Sequence, residues 1–160
     1  MDTQQKLIDL IQEFDNAMLV TKTDEGALHA RPMAIAEATE EGELWFITDR
    51  NSGKIADLIH DRDVAVTMQS ARKFVSLSGE CRVVKDQQKI ESLWKEAWKI
   101  WFPDGSTDTS IVLLKVQPAR GEYWDNSGMA GMKYLIEAGK AYLQGERAET
   151  DKSTNASVSL

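Results

Sequence analysis

Ala17-Met18-Leu19-Val20-Thr21-Lys22-Thr23, the turn Asp24-Glu25-Gly26, and Leu28-His29-Ala30-Arg31-Pro32-Met33-Ala34-Ile35-Ala36-Glu37 decide the fold class. Two strand-forming runs around a short glycine-bearing turn predict an antiparallel hairpin. Pro32 cannot donate to a ladder, so the second strand must be open or bulged there. A further turn, Glu40-Glu41-Gly42-Glu43, leads into a third strand at Leu44–Thr48. Val64, Val66 and Met68 alternate with Ala65, Thr67 and Gln69, and Phe74–Val84 alternates over a longer run, so both read as strands. Ile111–Val116 and Arg120–Trp124 read as a last pair of strands across Gln117-Pro118-Ala119.

The helices are fewer. Leu7, Leu10, Ile11 and Phe14 recur at helical spacing after Asp2 and Thr3, predicting a helix over 3–14. Ile55, Leu58 and Ile59 give about two turns beginning near Asn51-Ser52-Gly53. Asp86 is placed to cap one helix carrying Ile90, Leu93, Trp94, Ala97, Trp98 and Trp101 on a single stripe, stopped by Phe102-Pro103-Asp104-Gly105. Met129–Gln144 reads as a helix with Met132, Leu135, Ile136 and Tyr142 as its apolar residues. Beyond Gly145 the chain is Glu, Thr, Ser, Asp and Asn with little to bury, and reads as a disordered tail. The rhythm of strand, helix, strand that builds a parallel sheet is missing. The class is therefore α+β, mainly β: a small antiparallel barrel with flanking helices. The boundaries read as a barrel domain over 1–126, a C-terminal helix over 127–144 and a tail over 145–160.

Composition narrows the function. The chain has 160 residues, 42% hydrophobic and 28% charged, room for one domain with its own core. With 19 Lys and Arg against 26 Asp and Glu, the net charge is −7, which argues against nucleic acid or an anionic membrane as the partner. The start lacks a signal-peptide pattern and no apolar run approaches the ~20 residues of a membrane span, so a cytoplasmic location is expected.

Thr48-Asp49-Arg50-Asn51-Ser52-Gly53-Lys54 is the most informative local stretch. It lies where a strand ends and a helix starts, and Arg50 and Lys54 are poorly placed for stability at the positive end of a helix. The misfit disappears when an anion docks there, held by free backbone N–H groups, the Ser52 hydroxyl and the Lys54 ammonium. The other reading is a solvated loop with Ser52 as an ordinary N-cap and the cations pointing outward. In His29-Ala30-Arg31-Pro32-Met33-Ala34, the proline frees backbone groups to meet a flat heterocycle edge-on, and Arg31 could reach a phosphate or a carbonyl; taken alone, the stretch reads as an edge-strand proline with an exposed arginine. Trp94 and Trp98 read as core or interface, while Trp101 and Trp124 stay open between packing and ligand contact. His29, His60 and Cys81 show no metal-ligand spacing, and Cys81 sits mid-strand on the apolar face, where it reads as buried and inert. No catalytic acid–base pair stands out, and the catalytic residues are unknown.

Taken in chain order, Ala17–Thr21, His29–Met33, Leu44–Asp49, Ser52-Gly53-Lys54, Val75–Gly79, Trp94 through Gly105, and Glu122–Asp125 resemble the bacterial general stress proteins of the pyridoxamine 5′-phosphate oxidase-like superfamily. The resemblance implies a split β-barrel that binds FMN, with FAD as the alternative, in a groove between the two subunits of a homodimer. It implies that Arg31, Pro32, Met33 and Ala34 lie along the flavin ring and ribityl chain, that Thr48 meets the ligand from its strand end, and that Ser52 and Lys54 bind the phosphate. Phe74 and Val75 fall where the family's next strand approaches the flavin. Trp124 matches a tryptophan near the ring edge, reaching the partner chain's flavin. The chain lacks the tryptophan- and arginine-bearing end by which true pyridoxamine phosphate oxidases grip the vitamin phosphate, so the resemblance does not extend to vitamin B6 oxidation. Three functions remain in view: a flavin-dependent oxidoreductase of an unknown small molecule, a non-catalytic flavin store or sensor in the stress response, and a dimeric barrel without a ligand.

Overall fold

The computed structural model describes residues 2–145 and 154–160. Its elements in chain order are α1 (Thr3–Gln12), β1 (Asn16–Lys22), β2 (Leu28–Ala38), β3 (Leu44–Asp49), α2 (Gly53–His60), β4 (Asp63–Gln69), β5 (Lys73–Val84), α3 (Gln87–Leu93), β6 (Ile111–Asp125), α4 (Met129–Gln144) and β7 (Asn155–Ser159). All strand pairs are antiparallel. The order β3-β2-β1-β4-β5-β6 closes on itself through β3–β6, giving a six-stranded barrel with β7 added alongside β6. The expected mainly-β split barrel with flanking helices is the observed fold.

One strand organises the molecule. The first part of β6 pairs with β3, from Asp49↔Ile111 to Leu44↔Val116, and the last part carries β7, while β5 runs beside both. The two expected strands around Gln117-Pro118-Ala119 are therefore a single strand. Pro118 is absorbed without a turn because the β5 register shifts opposite it, between Ser78 and Gly79. Gly79 permits that close approach: a Cβ there would lie 2.1 Å from the Gln117 carbonyl oxygen.

Two cores flank β3 and β6. Leu19, Phe46, Val66, Leu77, Leu114 and Tyr123 fill the barrel, closed at one end by Leu7, Leu10 and Ile11 of α1. α1 begins where the Asp2 carboxylate caps the Gln4 N–H. Outside the barrel, Ile90, Leu93, Trp98 and Phe102 pack on Ile47, Ile111 and Leu113. With both faces covered, the start of β6 reads as an unbroken apolar run rather than an alternation.

Two local expectations are corrected. The Asp86 carboxylate does cap α3, accepting from the Lys89 N–H at 3.2 Å, but the helix ends at Leu93 instead of running on to Trp101. Trp94 turns extended (φ −56°, ψ 135°), and a 3₁₀ turn follows at Glu96–Ile100. The break lets Trp98 enter the outer core, T-stacked on Trp94 at 5.8 Å, which one continuous helix stripe would not allow with Trp101 facing out. The tail expected to be disordered over 145–160 ends in order: β7 pairs Asn155↔Trp124 through Ser159↔Arg120, and Val158 joins the barrel core. Its stability comes from a distant strand, so its polar composition gave no sign of it; the part of the tail over 146–153 lies outside the described residues. The helix expected at Met129–Gln144 forms, with Met132, Leu135 and Ile136 exposed. Among the described residues no helix is long and apolar enough to cross a membrane.

Candidate functional site

The barrel is split between β2 and β3, and the split holds the candidate site. Ile35 pairs with Phe46, and the ladder proceeds only toward the far end of β2, with a bulge between Ile35 and Glu37. Continued in the other direction, the same register would set Ala34 against Ile47 and Met33 against Thr48. Instead the strands part there. The phase of the β1–β2 ladder explains why. Ile35 donates to the Asp15 carbonyl at 2.9 Å, so odd-numbered residues of β2 bond to β1 and even-numbered ones turn their backbone groups outward. Pro32 is even-numbered, so its donorless nitrogen faces the side where β3 would have joined.

A cavity of about 340 Å³ fills this gap. Pro32, Met33 and Ala34 line one side and Ile47, Thr48 and Asp49 the other. Ser52 and Lys54 close one end, and Trp101 and Phe102 complete the wall. Of the ten residues expected at the ligand, six meet here: Pro32, Met33, Ala34, Thr48, Ser52 and Lys54.

Their polar atoms converge on one corner. The Lys54 ammonium donates to Thr48 Oγ1 at 2.9 Å, and that oxygen lies 3.5 Å from Ser52 Oγ. Ser52 occupies the N-cap position of α2 by its backbone, yet its hydroxyl makes no capping bond and the first turn carries no acidic residue. Of the alternative reading, the ordinary serine cap does not form and Lys54 is half-buried, whereas Arg50 is exposed as that reading has it. Among the described residues no carboxylate stands within 4.0 Å of the Lys54 ammonium. Burial, reinforced by the nearby Arg31 cation and opposed by Asp49, holds Lys54 below the ordinary lysine pKa. An anion brought to this corner would relieve both, and the first N–H groups of α2 have no intrahelical acceptor. The residues present fit a phosphate ester, with the open β2 edge beside it for a flat ring.

The other four expected residues lie elsewhere. Arg31 is turned inward: its guanidinium donates to Thr21 Oγ1 at 2.7 Å and stands 3.4 Å from Asp57 Oδ2, outside the cavity lining. Burial lowers the Arg31 pKa, and Asp57 opposes the shift. Val75 faces the barrel core, where a ligand outside the barrel cannot touch its side chain. Phe74 and Trp124 are register partners, 38% and 37% exposed, at the end of β6 opposite to the Val112–Thr48 pair. Neither lines the cavity of its own chain. The cavity also takes in Ile47, Asp49 and Phe102, which sequence patterns did not place at a ligand, and Trp101, which they left open. The Phe-Pro-Asp-Gly stop beside Trp101 was the signal that could have found the two aromatic residues.

The family model described as pyridoxamine 5′-phosphate oxidase like matches residues 2–149. None of the curated proteins matches the chain. Among solved structures, a chain from Jannaschia sp. CCS1 is 24% identical, with a TM-score of 0.72 over 97% of this chain and 96% of that one. The General Stress Protein 26 from Bacillus anthracis str. Sterne is 23% identical, with a TM-score of 0.70 over 77% and 94%. A protein described as the general stress FMN/FAD binding protein from the phytopathogen Xanthomonas citri is 28% identical, with a TM-score of 0.67 over 79% and 90%.

Proposed function

Because the chain belongs to the pyridoxamine 5′-phosphate oxidase-like family, we propose that it binds FMN in the split between β2 and β3 and acts as a flavin-dependent oxidoreductase on a small molecule. The observation that carries this reading is the corner where Lys54, Thr48 and Ser52 meet at the uncapped start of α2, beside a proline-opened strand edge. The phosphate belongs at that corner. The ring belongs along Pro32–Ala34, whose outward backbone groups can pair with its polar edge. FMN supplies a ring that takes up electrons or a hydride; the chain's part is to orient it and set its surroundings. The description of the Xanthomonas citri protein as FMN/FAD binding supports flavin over other phosphate esters and keeps FAD as the alternative.

A homodimer is part of the proposal. Phe74 and Trp124 lie outside the cavity lining of their own chain, at the other end of β6, and a second copy would bring its pair to the site. A second reading, a non-catalytic flavin store or sensor, is favoured by the lining: Asp49 and Lys54 are its titratable side chains, and Asp49 is engaged with the Asn51 N–H at 2.7 Å.

The test is an absorbance spectrum of the purified chain after loading with FMN and desalting, followed by anaerobic reaction with NAD(P)H. Retained flavin that is reduced supports the oxidoreductase. Retained flavin that stays oxidised with every donor supports the store or sensor, and colourless protein rejects both.

A further inference from the structure

We propose that Trp101 is the aromatic wall of the cavity, packing its indole against the flat ring of the bound flavin; this rests on the flavin reading above. The cavity has two unlike kinds of surface. Lys54 and its hydroxyl neighbours make one corner cationic, whereas Trp101 and Phe102 add aromatic wall. A ligand matching both has an anionic ester and a planar heterocycle.

Trp101 is built to present its side chain. Its neighbours Trp98 and Phe102 are 4% and 5% exposed and lie in the outer core, while Trp101 itself is 62% exposed. The backbone is held too: the Trp101 and Phe102 N–H groups both donate to the Trp98 carbonyl at 2.9 Å. The indole is therefore carried at the cavity rim by a fixed backbone, and leaving so large an apolar surface in water is unfavourable unless something covers it. An electron-rich indole stacks well on the electron-poor oxidised isoalloxazine, and in that contact it quenches the flavin's emission. Stacking acts on the ring alone, so it contributes equally to ligands with and without the phosphate.

The experiment measures FMN and riboflavin affinity and bound-flavin fluorescence for the wild-type chain, Trp101→Phe and Trp101→Leu, each also in a Trp124→Phe background to silence the other candidate indole. Packing at this position is carried by Trp98 and Phe102, so the variants are expected to fold. The expected result is a several-fold rise in bound-flavin emission in both variants. Affinity should weaken by a similar factor for FMN and riboflavin, more in Trp101→Leu than in Trp101→Phe. Unchanged emission with flavin still bound overturns the assignment, whether or not the variant's oligomeric state changes. A loss confined to FMN also overturns it, because it places Trp101 at the phosphate end. A wild-type chain that takes up neither flavin fails at the earlier step, overturning the flavin reading and this inference together.

Discussion

The Arg31 guanidinium and the Asp57 carboxylate stand 3.4 Å apart, and the Thr21 hydroxyl ties them together, accepting from Arg31 at 2.7 Å and donating to Asp57 at 2.8 Å. Both charged side chains are largely buried, so the pair locks α2 to the β1–β2 hairpin. Removing one partner leaves the other charge uncompensated. Asp57→Ala is expected to destabilise the fold by about 3 kcal/mol in urea denaturation, the lower end for breaking a buried pair. A loss under about 0.5 kcal/mol would show the pair behaving like an exposed one.

Lys54 should separate FMN from riboflavin. Deleting a charge-assisted bond of ~1.5–3 kcal/mol weakens affinity roughly 10- to 100-fold. Lys54→Ala is expected to lose that much for FMN and less than about twofold for riboflavin, read by fluorescence titration. Equal losses reject the phosphate role. Because burial and Arg31 hold the Lys54 pKa below the ordinary lysine value, wild-type FMN affinity should begin to fall at a lower pH than an exposed lysine would predict.

Cys81 is fully buried on the barrel face of β5, and burial pushes its thiol up to about 12 from 9.0. The folded chain therefore keeps the proton that the unfolded chain releases above pH 9. With fewer protons bound when unfolded, stability falls as pH rises through this window. Urea denaturation between pH 8 and pH 11 is expected to show a steeper loss for the wild-type chain than for Cys81→Ala. The native thiol should resist Ellman's reagent at pH 8 until denaturant is added. Rapid labelling without denaturant would contradict the burial.

Two glycines should differ in what they tolerate. A Cβ at Gly121 would lie 2.4 Å from Leu7 Cδ2 and 2.9 Å from Leu77 Cδ2, the ends of side chains that can shift. A Cβ at Gly79 would meet the Gln117 carbonyl oxygen and the Pro118 Cα, both backbone. Gly121→Ala is expected to cost about 1–3 kcal/mol, as overpacking does, and Gly79→Ala more, with loss of the Pro118 accommodation. Thermal or urea denaturation of the two variants side by side checks the order; the reverse order would mean that β6 yields more easily than the barrel core.

Much of the fold was legible because it rests on short-range patterns. Alternation at Val64–Met68 and Phe74–Val84, turn residues at Asp24-Glu25-Gly26, and the Asp2 and Asp86 caps all act within a few residues of themselves. The same holds for the corner of the site: Thr48, Ser52 and Lys54 come together because a strand end, a turn and a first helical turn are contiguous. The ordered set of motifs then pointed to the family that the match over 2–149 shows.

What the sequence by itself determined was a barrel of antiparallel strands with cations gathered where α2 begins. Only the tertiary structure decided that Arg31 turns inward to Asp57, that Trp101 lines the cavity, that β6 passes through Pro118 unbroken, and that polar Asn155–Ser159 is a strand. Each of these depends on a partner far away in the chain: Asp57 for Arg31, the split between β2 and β3 for Trp101, Gly79 for Pro118, and the edge of β6 for β7. Local propensity carries no information about such partners, because the free energy that selects them arises only when the barrel closes.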